Sequence, residues 1–91
     1  MPVERYVLTL PELGLGDRAV VASVWLVERG GEVTAGDRLL EILAGEVTID
    51  LPAPASGLLV ETLVDEDEAL MVGQPLAVIE GAGDAPMDPG T

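Results

Sequence analysis

Cysteine, histidine, lysine and phenylalanine are all absent from this chain of 91 residues. Without cysteine or histidine there are no disulfides, no thiolate nucleophile, no zinc site of the usual ligand set and no imidazole for acid–base catalysis. A stand-alone enzyme is therefore not expected. Every cation is an arginine (Arg5, Arg18, Arg29 and Arg38), set against 17 acidic residues, for a net charge of −13. Such a chain repels phosphates, which argues against nucleic acid and against an anionic membrane surface as partners. The longest largely apolar run, Ala19 to Val27, is nine residues, well short of the ~20 needed to cross a bilayer. Residues 1–5 carry no apolar signal core, so a cytoplasmic location is expected.

Apolar residues nonetheless make up 48% of the chain, with Trp25 and Tyr6 as the only aromatics. A core must come from Val, Leu, Ile and Ala. At about 100–200 residues per domain, the length allows one. Residues 81–91 hold three glycines and two prolines and no periodic apolar face, which reads as a flexible C-terminal tail after a domain of residues 1–80.

Within that domain, short Val-rich segments are cut by turn residues: Gly14 and Gly16, Gly30-Gly31, Gly36-Asp37, Gly45, Pro52 and Pro54, Gly57, Gly73 and Pro75. This spacing favours an all-β barrel or sandwich. Residues 37–45 also fit a helix, with Asp37 as N-cap and Gly45 as stop. An internal repeat decides between the two. Residues 21–43 overlie residues 58–80 without a gap, matching Leu26-Val27 to Leu63-Val64, Gly36 to Gly73, Leu39 to Leu76, Val33 to Leu70 and Ile42 to Ile79. In the second copy the ambiguous segment reads Pro75-Leu76-Ala77-Val78-Ile79, whose β-branched residues suit a strand. Two β-units then close around one core, each a strand, a turn, a short strand, a Gly-centred turn and a strand. The segment 44–47 ends the first copy as 81–84 ends the second, so a two-fold relation sets this tip at the opposite pole from the chain ends.

The ordered motifs Pro11-Glu12-Leu13-Gly14, Val24-Trp25-Leu26-Val27, Gly36-Asp37-Arg38-Leu39-Leu40-Glu41, Pro52-Ala53-Pro54-Ala55-Ser56-Gly57 and Val72-Gly73-Gln74-Pro75-Leu76-Ala77-Val78-Ile79 resemble the lipoyl domain of 2-oxo acid dehydrogenase acyltransferases. They are similar, more distantly, to biotinyl carrier domains. The resemblance covers roughly residues 7–80 and implies a flattened barrel of two four-stranded sheets with two-fold pseudosymmetry. In that family a hairpin tip carries an acceptor lysine within Asp-Lys-Ala, or Met-Lys-Met in biotinyl domains. Counting back from Pro52, the triplet here is Gly45-Glu46-Val47, with Glu46 at the acceptor position. A carboxylate cannot form the lipoyl amide, and no lysine stands nearby to replace it.

Two readings follow. In the first the chain binds no cofactor and serves as a protein-interaction or regulatory module, with 2-oxo acid dehydrogenase components or lipoate-handling enzymes as partners. In the second it is a swinging-arm carrier whose natural residue 46 is lysine, and only then is lipoate its cofactor. By resemblance, the partner surface combines the loop Leu13, Gly14, Leu15, Gly16, Asp17 and Arg18 with Gly45, Glu46 and Val47. Gly14-Leu15-Gly16-Asp17 lacks the strand-to-helix setting of a phosphate loop. The run Asp65-Glu66-Asp67-Glu68 overlies the turn Glu28-Arg29-Gly30-Gly31, so its side chains should splay apart rather than converge on a cation. Asp67 takes the place of a turn glycine, and Glu61 and Glu66 read as solubilising surface. Trp25 reads as a core or half-buried residue.

Overall fold

A computed structural model describes residues 3–14, 16 and 18–81. All of its regular structure is β. The strands are β1 (Glu4–Thr9), β2 (Val20–Trp25), β3 (Glu32–Val33), β4 (Arg38–Ala44), β5 (Val47–Pro52), β6 (Gly57–Thr62), β7 (Ala69–Leu70) and β8 (Pro75–Gly81). They form two four-stranded sheets, ordered β1-β8-β6-β3 and β5-β4-β2-β7, with every pairing antiparallel. Residues 38–44 are a strand, as the repeat requires, and the flattened two-sheet architecture is the one the resemblance implies. The Cα envelope measures 44 × 24 × 17 Å.

The repeat in the sequence is a two-fold relation in space. It exchanges β1 with β5, β2 with β6, β3 with β7 and β4 with β8, and the turn hydrogen bonds repeat with it. Leu26 N donates to Leu39 O and Leu63 N to Leu76 O; Gly30 N donates to Leu59 O and Asp67 N to Ala22 O; Gly36 N donates to Ala53 O and Gly73 N to Leu10 O. The bulges recur as well. Register shifts at Ala22/Val24 and Leu59/Glu61 are mates, and so are those at Arg38/Leu40 and Leu8/Thr9. A bulge breaks the in–out alternation of a strand. Here it turns two consecutive residues inward in each half: Leu39 with Leu40, and Leu76 with Ala77, all 0% exposed.

Leu8, Leu10, Ala22, Ile42, Leu51, Leu59 and Ile79 join these residues in one core between the sheets, and no polar or charged residue is buried among the described residues. Trp25 lies half-buried against that core, its indole Nε1 donating to Val64 O at 3.1 Å, so the ring is packed and its single polar atom is satisfied. The chain stays in β8 one residue past the expected boundary at 80. Gly81 is the last residue of that strand and is buried, and a Cβ there would stand 2.8 Å from Ser56 O. The rest of the expected tail, residues 82–91, lies outside the described residues. Among the described residues, no helix is long and apolar enough to cross a membrane.

Candidate functional site

β4 and β5 are joined by the two residues Gly45 and Glu46, closed by the pair Ala44↔Val47. Gly45 has φ +64° and Glu46 has negative φ, the φ pattern of a type II′ hairpin turn, in which glycine serves the first central position. The turn is tight because the strand registers leave only these two residues to reverse the chain. Both are exposed, as is Val47, which is already the first residue of β5. The Glu46 side chain makes no hydrogen bond or ion pair with the described residues. It stands in solvent at the apex of the β4–β5 hairpin. Beneath it the register partners Val47, Ala44, Val20 and Leu70 cross the whole sheet in one row.

The loop between β1 and β2 lies beside this tip. Leu10 at the end of β1 donates to Gln74 O and accepts from Gly73 N, which fixes the start of the loop next to Leu70 and hence next to the row under the turn. β1 begins at Glu4, paired with Gly81, five residues before Thr9 and so about 17 Å from that end at ~3.4 Å per residue. The paired residues Glu4 and Gly81, where β1 begins and β8 stops, thus lie at the opposite end of the barrel from the tip. At the far end of the loop the Arg18 side chain passes the turn, its Cδ 3.8 Å from where a Cβ on Gly45 would stand. Leu13 is half-buried and packs on the core, while Gly14 and Gly16 adopt φ of +71° and +67°. Of the sequence-expected partner surface, the geometry brings Arg18 against Gly45 and sets Leu13 at the loop's foot. Leu15 and Asp17 lie outside the described residues.

The acidic turn is built as a second copy of the Gly30 turn. Asp67 has φ +72° where its two-fold mate Gly30 has +94°, so it does replace a turn glycine, in the left-handed region that aspartate tolerates better than most residues. Its neighbours point to separate targets. Glu66 Oε2 accepts from Trp25 N at 2.9 Å, and Glu68 Oε1 accepts from Asp65 N at 2.9 Å. Glu66 is therefore a cap on the end of β2 as well as a surface charge, a role the sequence pattern does not reveal because the two residues are 41 positions apart. Among the described residues no cluster of three or more carboxylates could hold a metal ion.

A sheet pair with this two-fold symmetry and a two-residue tip is the architecture of a carrier domain, and comparison with known proteins agrees. The family model described as "Biotin-requiring enzyme", which covers biotinyl and lipoyl domains, matches residues 6–79. The chain belongs to this biotinyl/lipoyl domain family. It is 38% identical over 76 residues to the dihydrolipoyllysine-residue acetyltransferase component of the pyruvate dehydrogenase complex of Corynebacterium glutamicum, covering 84% of this chain and 11% of that protein. It is 34% identical over 74 residues to the dihydrolipoyllysine-residue acetyltransferase component of the acetoin cleaving system of Pseudomonas putida, covering 81% and 20%. With the lipoamide acyltransferase component of the branched-chain alpha-keto acid dehydrogenase complex of Bacillus subtilis it shares 30% over 88 residues, covering 97% and 20%. The chain thus spans at most a fifth of the length of these relatives. Among solved structures, a single-chain, multi-domain long-chain acyl-CoA carboxylase matches with a TM-score of 0.66 at 22% identity, covering 91% of this chain and 7% of that one. This last likeness concerns the fold alone.

Proposed function

We propose that this chain is a lipoyl-type domain that carries no amide-linked cofactor and acts as a protein-interaction or regulatory module alongside a 2-oxo acid dehydrogenase system. One observation carries the reading: the tip at which the family attaches its cofactor is here an exposed two-residue turn bearing Glu46, and the sequence offers no lysine anywhere. Lipoylation and biotinylation both need an amine nucleophile, and a carboxylate supplies none. The scaffold around the tip is whole, with both Gly-centred turns, the bulges and the core in place. A frame kept in this condition without its acceptor fits selection for a surface. That surface combines Leu13, Gly14, Gly16 and Arg18 with Gly45, Glu46 and Val47. No catalytic residue is assigned to the domain, which has neither histidine nor cysteine.

Binding of the immobilised chain to purified 2-oxo acid dehydrogenase components and lipoate-attaching enzymes tests this. One of them should bind, and Leu13→Ser or Arg18→Ala should weaken it about tenfold, the loss expected when an anchor at an interface is truncated. Binding to none of them, or binding indifferent to both substitutions, would refute the module. A second reading rests on the names of the relatives, which are dihydrolipoyllysine-residue transferases: residue 46 is lysine in the natural gene, and the domain is a swinging-arm carrier of lipoate. Codon 46 of the source gene decides between the two.

A further inference from the structure

The two halves of the barrel share a backbone frame but line their equivalent grooves differently. Gln74 N donates to Met71 O as Asp37 N donates to Thr34 O, at 3.0 and 2.8 Å, so the turns after β3 and β7 superpose. At the end of the barrel where Glu4 pairs with Gly81, the groove is lined by Glu32, Thr34 and Glu80 together with Val33, Gly57 and Leu58. On the tip side Met71 stands for Thr34 and Val20 for Gly57, both apolar and larger, and Val72 stands for the smaller Ala35. The loop from β1 to β2, residues 10–19, is also six residues longer than its mate, residues 53–56, and brings Leu13 and Arg18 to the same place. The result is a cleft of about 260 Å3 lined by Leu13, Arg18, Val20, Leu70, Met71 and Val72. Met71 is 74% exposed and Val72 60%, in turn positions that polar residues ordinarily fill. Adjacent large apolar side chains left in water beside a cleft point to something that covers them.

We propose that this cleft binds an aliphatic carboxylate of medium chain length, a site independent of whether residue 46 accepts a group. The hydrocarbon lies on Leu13, Val20, Leu70 and Met71, and the carboxylate meets the Arg18 guanidinium, whose planar fork of donors matches a carboxylate in two hydrogen bonds. The volume lies just under the roughly 300–1,000 Å3 of drug-sized pockets and so suits a small, narrow ligand. Glu12 also lines the cleft, with Oε1 turned to Gly14 N at 3.5 Å. Arg18 makes no ion pair with the described residues, whereas Arg5 and Arg38 are paired with Glu80 and Asp50. The net charge of −13 repels anions in general, so any preference of this cleft for an anionic head group rests on Arg18 in its lining.

The test is titration of the 15N-labelled chain with heptanoate, with heptylamine and 1-heptanol as controls, followed by amide shifts. Heptanoate should move Leu13, Gly16 and Leu70 to Gly73 and leave the mate groove at Val33 to Ala35 unmoved. Heptanol should bind about fivefold more weakly, and Arg18→Gln should reduce heptanoate binding by a similar factor, the scale of an exposed charge pair. Met71→Ser, at an exposed position that leaves the fold intact, should weaken both ligands alike. Shifts absent at millimolar heptanoate, equal shifts in the two grooves, tighter binding of heptylamine, or an Arg18→Gln variant with unchanged affinity would each overturn the proposal.

Discussion

Asp67 shows at the scale of a single residue how the second half of the barrel differs from the first. It holds φ +72° where the first half has Gly30, and no hydrogen bond of its side chain to the described residues offsets the strain. Asp67→Val should destabilise the domain by about 1–2 kcal/mol, since a β-branched residue meets the full left-handed penalty. Asp67→Gly should change stability by less than about 1 kcal/mol, because relief of strain is opposed by the chain entropy of glycine. Urea unfolding of the two variants checks both values. Equal stability of Val and Gly at this position would show that the turn relaxes. The residue was legible in the sequence because the repeat aligns it with a glycine. Glu66 was not: its bond to Trp25 N runs from a turn to the end of β2, and no local pattern announces it.

Among the elements, β4 was the hardest to read. Leu39-Leu40 and Leu76-Ala77 are consecutive buried pairs, which spoil the period-2 pattern of a strand and give residues 37–45 their helical look. The bulges explain the pattern, and only the β-branched residues of the second copy expose it in the sequence. Among the described glycines, Gly57 in β6 leaves the least room for a Cβ. Gly57 has φ +155°, and a Cβ there would collide with the carbonyl oxygen of Glu80 in β8. Gly57→Ala must therefore push β6 away from β8 or kink it. A loss of about 2–4 kcal/mol is expected from the combined overpacking and backbone strain, measured as a fall in the denaturation midpoint. A loss below about 0.5 kcal/mol would mean that the β6–β8 pairing is softer than its geometry. The cleft beside Met71 and Val72 escaped the sequence for a related reason. Met71 and Val72 follow Leu70 in an apolar run, and only the two-fold comparison with Thr34 and Ala35 marks them as turn residues out in solvent.

For the molecule as a whole, the internal repeat made the two-sheet architecture legible, and the family resemblance located its tip. The approach of Arg18 to Gly45 was less accessible, because it depends on how the segment between β1 and β2 meets a hairpin distant in sequence. Charge governs the behaviour of the whole chain in solution: 17 carboxylates and four arginines give a sequence pI near 4.1. Repulsion between molecules fades as that pH is approached, so solubility should pass through a sharp minimum there, read as turbidity across an acid titration. Full solubility at pH 4 would show that the surface charge is not what keeps the chain dispersed. The central claim is that the tip is a carrier hairpin without its nucleophile. Intact-mass spectrometry of the chain and of Glu46→Lys, each expressed with lipoate- and biotin-attaching enzymes, tests it most directly. The account predicts the bare mass for the native sequence and one added cofactor for Glu46→Lys. A cofactor on the native chain, or none on the Glu46→Lys variant, would contradict it.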